Sequence, residues 1–89
     1  MTIAVGLLVR TSYGTGPYLV RTLSGPCICC SYLDTINGRE RPSKPHFHLT
    51  CRRPDGRGGD YYLNGFTLEG RSVWSRDKLT VQPQLELFA

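Results

Sequence analysis

The sequence predicts an all-β fold, a small barrel of five to six short strands. Three observations lead there. No stretch of the 89 residues places apolar side chains at helical spacing. Ten glycines and six prolines interrupt the chain every few residues, which leaves a long helix almost nowhere to form. The runs between them are short and rich in β-branched and aromatic residues, and closing such strands into a barrel removes the exposed sheet edges they would otherwise create.

Ile3 to Thr11 reads as the first strand. Tyr13-Gly14-Thr15-Gly16-Pro17 supplies a turn, and Tyr18 to Leu23 returns as the second arm of a hairpin. Ser24-Gly25-Pro26 is expected to end that arm, leaving Cys27 to Tyr32 extended or irregular. From Asp34 to Pro45 the composition is polar and contains Asn37-Gly38, so an exposed loop is expected. His46 to Arg53 reads as a strand. Alternation puts Phe47, Leu49 and Cys51 on the core face and His46, His48 and Thr50 on the other.

The glycine-rich stretch 54–60 is a hairpin connection, followed by a strand at Tyr61 to Leu63 that should stop at Asn64-Gly65. A further short pair is expected at Phe66 to Leu68 and Arg71 to Trp74, with Trp74 in the core or closing the barrel. Ser75 to Lys78 reads as a single helical turn, and Leu79 to Gln82 as the last strand, stopped by Pro83. Residues 1–82 therefore form one domain and residues 83–89 a tail.

At this length a single core is small and a covalent or metal staple is common. The net charge of +4 is local. Arg39, Arg41, Lys44, Arg52, Arg53 and Arg57 stand against only Glu40 and Asp55, whereas the rest of the chain balances five cations with five carboxylates. Such a segment, 39–57, can track nucleic-acid phosphates, with Tyr13, Tyr61 or Tyr62 for base stacking, or meet an acidic protein surface. A solvated loop face is the plainer alternative. No run approaches the roughly 18 apolar residues that span a bilayer, and Ile3 to Val9 lacks the marks of a signal peptide. The expectation is a cytoplasmic protein with no membrane contact.

In a reducing compartment four cysteines point to metal ligands or core thiols; in an exported chain, Cys51 pairing with one of the other three is the alternative. Cys27-x-Cys29 and His46-x-His48 are the candidate ligands. An i, i+2 pair on extended backbone projects both side chains to one side, so two such pairs supply four donors around one tetrahedral ion. Zinc suits thiolate and imidazole, and a closed four-ligand site is structural because it has no open position for water or substrate. The spacing differs from the common finger patterns. By the same alternation Cys51 belongs to the core and Cys30 points away. The competing reading makes the thiols small buried apolar groups and the histidines surface residues.

A catalytic reading would draw on Cys27 or Cys29 with His46 or His48 as base and Asp34 as orienter. The chain has no Walker loop, no G-x-S-x-G elbow and no H-E-x-x-H pair. A barrel this small also offers little concave volume, so neither an enzyme nor a small-molecule substrate is expected.

Two resemblances add to this reading. Val5 to Val20, with Tyr13-Gly14-Thr15-Gly16-Pro17 at its turn, resembles the opening hairpin of SH3-like barrels of the KOW type, and the chain looks like small proteins of bacteriophages and mobile elements. Gln84-Leu85-Glu86-Leu87-Phe88 resembles the pentapeptide that binds the bacterial sliding clamp. Gln84, Leu85, Leu87 and Phe88 match its four recurring anchors, a coincidence expected on the order of once in a thousand chains of this size. The resemblance implies a bacterial sliding clamp as partner, with Leu87 and Phe88 buried in a groove and Gln84 setting register. It implies a replication-associated accessory or inhibitor in a bacterial cell. The alternative is a nucleic-acid-binding or protein-binding zinc barrel, for example an anti-defence protein, in which Leu85 and Leu87 pack as an edge strand.

Overall fold

The structure is a computed structural model that describes residues 2–82. Its strands are β1 (Leu8–Thr11), β2 (Tyr18–Cys27), β3 (His46–Arg52), β4 (Tyr61–Phe66) and β5 (Leu79–Gln82), with one short helix, α1 (Tyr32–Ile36). They form one antiparallel sheet in the order β4-β3-β2-β1-β5. The all-β prediction holds, with five strands. The two sheet edges are linked by single bridges, Phe66 to Ser72 and Arg71 to Lys78, so the chain after β4 carries the sheet round to β5. The core is a cluster of Ile3, Val9, Val20, Leu49, Cys51, Leu63, Phe66 and Leu79.

The expected elements differ from this at six places. The first strand starts at Leu8, because a turn closed by Leu7 N–H donating to the Ala4 carbonyl precedes it. Ile3 still reaches the core, anchored by its N–H on the Leu68 carbonyl at 2.8 Å. Ser24-Gly25-Pro26 does not end β2. The strand absorbs the three residues as a register shift between Ser24 and Cys27, which spares the missing proline N–H a place in the ladder. At Gly25 the neighbouring strand comes so close that a β-carbon would lie 2.8 Å from the His46 carbonyl oxygen.

The polar stretch after Cys30 holds α1, capped by Ser31, whose hydroxyl accepts from the Asp34 N–H. Asn64-Gly65 lies inside β4 and does not terminate it. After β4 the expected strand pair is reduced to the two bridges, and the expected helical turn at 75–78 is a bend tied by Ser72 and Ser75 hydroxyls. β5 starts at the predicted residue, Leu79, and runs to Gln82, the last described residue. Among the described residues no helix is long and apolar enough to cross a membrane.

Candidate metal centre

The bulged end of β2 and the start of β3 are paired at Cys27 and His46, and this pairing builds the site. Cys27 closes β2 opposite His46, and Cys29, two residues beyond the strand, joins it in meeting His46 and His48, so the two i, i+2 pairs oppose each other. One donor atom from each of the four lies within 4.8 Å of the others. Cys29 Sγ stands 3.2 Å from His46 Nε2 and 3.1 Å from His48 Nε2. A tetrahedral ion with bonds of about 2.0 to 2.3 Å separates neighbouring donors by about 3.5 Å. The four residues can hold a metal ion with small adjustments.

Both histidines are oriented for that purpose. His46 Nδ1 faces the Lys44 carbonyl at 2.7 Å, and a carbonyl only accepts, so Nδ1 carries the proton and Nε2 presents a lone pair. His48 Nδ1 likewise donates to Asn64 Oδ1 at 3.1 Å. A ligating histidine whose other ring nitrogen is held by a carbonyl or carboxylate is the usual supporting arrangement of protein metal sites. His46 is fully buried, whereas Cys29 is exposed, so the site runs from the core to the surface.

Trp74 covers the imidazoles. Its ring centroid lies 4.9 Å from that of His46 and 6.1 Å from that of His48, and its indole N–H donates to the Ser43 hydroxyl at 2.9 Å. This approach requires Gly65, where a β-carbon would sit 2.5 Å from the indole ring. Trp74 thus bridges the loop before β3 to β4 above the site, which is a more specific place than the core or closing position expected of it.

Partial desolvation first, and then the neighbouring Cys27, raise the Cys29 thiol above its ordinary range. A bound cation reverses that balance by favouring both thiolates. Cys30 stands apart with its sulfur 3.2 Å from the Thr35 hydroxyl, and Cys51 is a buried core thiol, both as the alternation predicts. All four cysteines are free. Asp34 is not an orienter of either histidine, since both Nδ1 positions are occupied by other partners.

Asn64, Trp74, Gly65 and Ser43 escape a reading of the sequence. Asn64-Gly65 looks like a turn. Only the cross-strand pairing of His48 with Asn64 reveals its role. The six cations do not share one loop. Arg41 and Lys44 are exposed beside the metal centre and Arg39 is exposed just after α1, while Arg52, Arg53 and Arg57 lie at the other end of β3, roughly 20 Å along the strand. Gln84, Leu85, Leu87 and Phe88 belong to a segment, 83–89, outside the described residues. No protein-family model matches the chain, and no curated protein or solved structure is significantly similar to it.

Proposed function

We propose that this protein is a non-enzymatic binding module in which a zinc-stapled β domain carries a peptide, Gln84 to Phe88, to the groove of a bacterial sliding clamp. In this reading it is a replication-associated accessory or inhibitor of phage or mobile-element type, working in the bacterial cytoplasm. One observation carries the division of labour. Among the described residues the buried cluster from Ile3 to Leu79 forms one core, so the domain's core is built from residues that precede the peptide in sequence. Zinc is the natural guest of two thiolates and two imidazoles, and four protein ligands make the site structural. Contact with DNA through the exposed arginines and Lys44 belongs to the same reading.

The arrangement Cys29, His48, Asn64 favours a second reading, because its order matches a cysteine nucleophile, its base and an amide orienter. The raised Cys29 thiol argues against it, since an activated nucleophile needs a lowered one. The convergence of Cys27 and His46 on the same point is also superfluous to a triad and necessary to a metal centre.

Two measurements test the proposal. Fluorescence anisotropy against a purified bacterial sliding clamp should show binding by the intact chain and at least tenfold weaker binding by a Leu87→Ala/Phe88→Ala variant. Equal binding by the two would refute the docking role. Elemental analysis should find one zinc per chain, lost in Cys27→Ser and His48→Ala, and rapid Cys29 alkylation unaffected by zinc would favour the nucleophile instead.

A further inference from the structure

At the end of the sheet far from the metal centre the structure gathers groups that are scattered along the chain. The β1–β2 turn and the β3–β4 connection enclose a groove of about 570 Å³ lined by Gly14 to Tyr18 and by Arg53, Pro54 and Asp55. Tyr18 and Tyr61 stack beside it, with ring centroids 4.8 Å apart and a tilt of 34°. The Arg53 guanidinium lies 5.9 Å from the Tyr61 ring centroid and donates to its hydroxyl at 3.1 Å. Arg10 is drawn in from β1, donating to the Gly16 carbonyl at 3.3 Å.

The charges of this end decide what it attracts. Arg52 is neutralised by Asp60 at 2.7 Å and is discounted. Arg10, Arg53 and Arg57 remain, and among the described residues none of them is in an ion pair. Against them stands the Asp55 carboxylate, which accepts from the Arg57 backbone N–H at 2.9 Å. The lining itself balances Arg53 against Asp55, Arg10 and Arg57 make the surroundings of the groove cationic, and one aromatic ring, Tyr18, stands in its wall.

We propose that this groove binds single-stranded nucleic acid, with phosphates on Arg10 and Arg53 and an unpaired base against Tyr18. Its volume is that of a small-ligand site, enough for a nucleotide unit. Aromatic side chains need the flat faces of bases, which a duplex hides within its stack and a single strand exposes. The site specifies the DNA contact of the proposed function and adds Arg10 and Tyr18, which charge counting along the sequence passes over. It does not depend on the peptide at Gln84 to Phe88.

The test uses the intact zinc-supplemented chain and a fluorescein-labelled oligothymidine of about 10 nucleotides. Anisotropy should show binding that weakens steeply with salt, with Arg10→Gln and Arg53→Gln each reducing the salt slope by about 1. Tyr18→Leu should weaken binding by about fivefold or more at unchanged slope. Asp55→Asn, which keeps the acceptor for Arg57, should tighten it. Arg71→Gln, an exposed cation away from the groove, should bind as the parent does. Oligonucleotide binding should survive Leu87→Ala/Phe88→Ala, which separates this site from the clamp peptide. Binding that persists unchanged in the Arg10, Arg53 and Tyr18 variants overturns the proposal, as does an equal affinity for a blunt duplex or no binding at all.

Discussion

The tautomers of two histidines decide whether four side chains make a metal centre or a chance cluster. His46 is held through a backbone carbonyl, which no substitution removes, but His48 depends on the Asn64 side chain. Asn64→Ala frees the His48 ring, and zinc affinity measured by competition with a chromophoric chelator should fall by about 10-fold to 100-fold while stoichiometry stays at one. Cys30→Ser should change neither. The ligands are legible in the sequence because period-two alternation is a property of local backbone, whereas Asn64 and Trp74 act through cross-strand pairing and long-range packing that spacing does not encode. Cys51 illustrates the opposite case of a thiol kept inert. Burial pushes it up to about 11, so the folded state holds its proton more tightly than the unfolded chain does. Its contribution is complete below the unfolded value and is lost as pH rises through the folded one. Urea unfolding should therefore show that the parent loses about 1 kcal/mol more than Cys51→Val between neutral pH and pH 10.

Among the elements, β2 and β3 carry the site, and α1 is the part with least support of its own. A five-residue helix is far too short to be stable in isolation, and no residue of α1 is buried. Tyr32, Leu33 and Ile36 share one helix face and all are exposed. What holds α1 is, before its first residue, the Ser31 cap and the short tether back to Cys29, and, after its last, the Asn37 and Arg39 N–H groups that donate to the Leu33 and Asp34 carbonyls. Chelation should accordingly raise amide exchange first at Thr35 and Asn37, whose N–H groups bond to Ser31 and Leu33 carbonyls, and only later in β3. Exchange at Thr35 and Asn37 left unchanged by chelation would show that the helix is not tied to the metal. The helix itself is hidden by its length, although Ser31 three residues before Asp34 is a capping signal that the sequence does carry. The strands are legible wherever apolar alternation runs unbroken, as in β5. They are misread where glycine and proline serve close packing instead of a turn, at Gly25 against the His46 carbonyl and at Gly65 beneath Trp74.

For the whole molecule the question is whether the metal is an ornament on a finished fold or part of its stability. Three of the ligands come from the neighbouring strands β2 and β3 and Cys29 follows just after β2, and His46, fully buried, joins the centre to the strand that also supplies Leu49 and Cys51 to the core. Opening the site would therefore loosen β3 itself, so a metal bound there would be linked to global unfolding. A ligand that binds only the folded state stabilises it by about 4 kcal/mol at a free concentration of 1,000 times its dissociation constant. For a domain of this size each kcal/mol moves the melting temperature by roughly 4 to 8 °C. Excess chelator should thus lower the melting temperature by on the order of 20 °C, and stepwise zinc addition should restore it in proportion to the logarithm of free zinc. Leu49→Ala, costing about 2 to 5 kcal/mol by cavity formation, should leave a chain that folds with zinc and fails to fold without it. A melting temperature indifferent to chelator would show that the barrel stands on its apolar core alone, and the four ligands would then need another reason to converge.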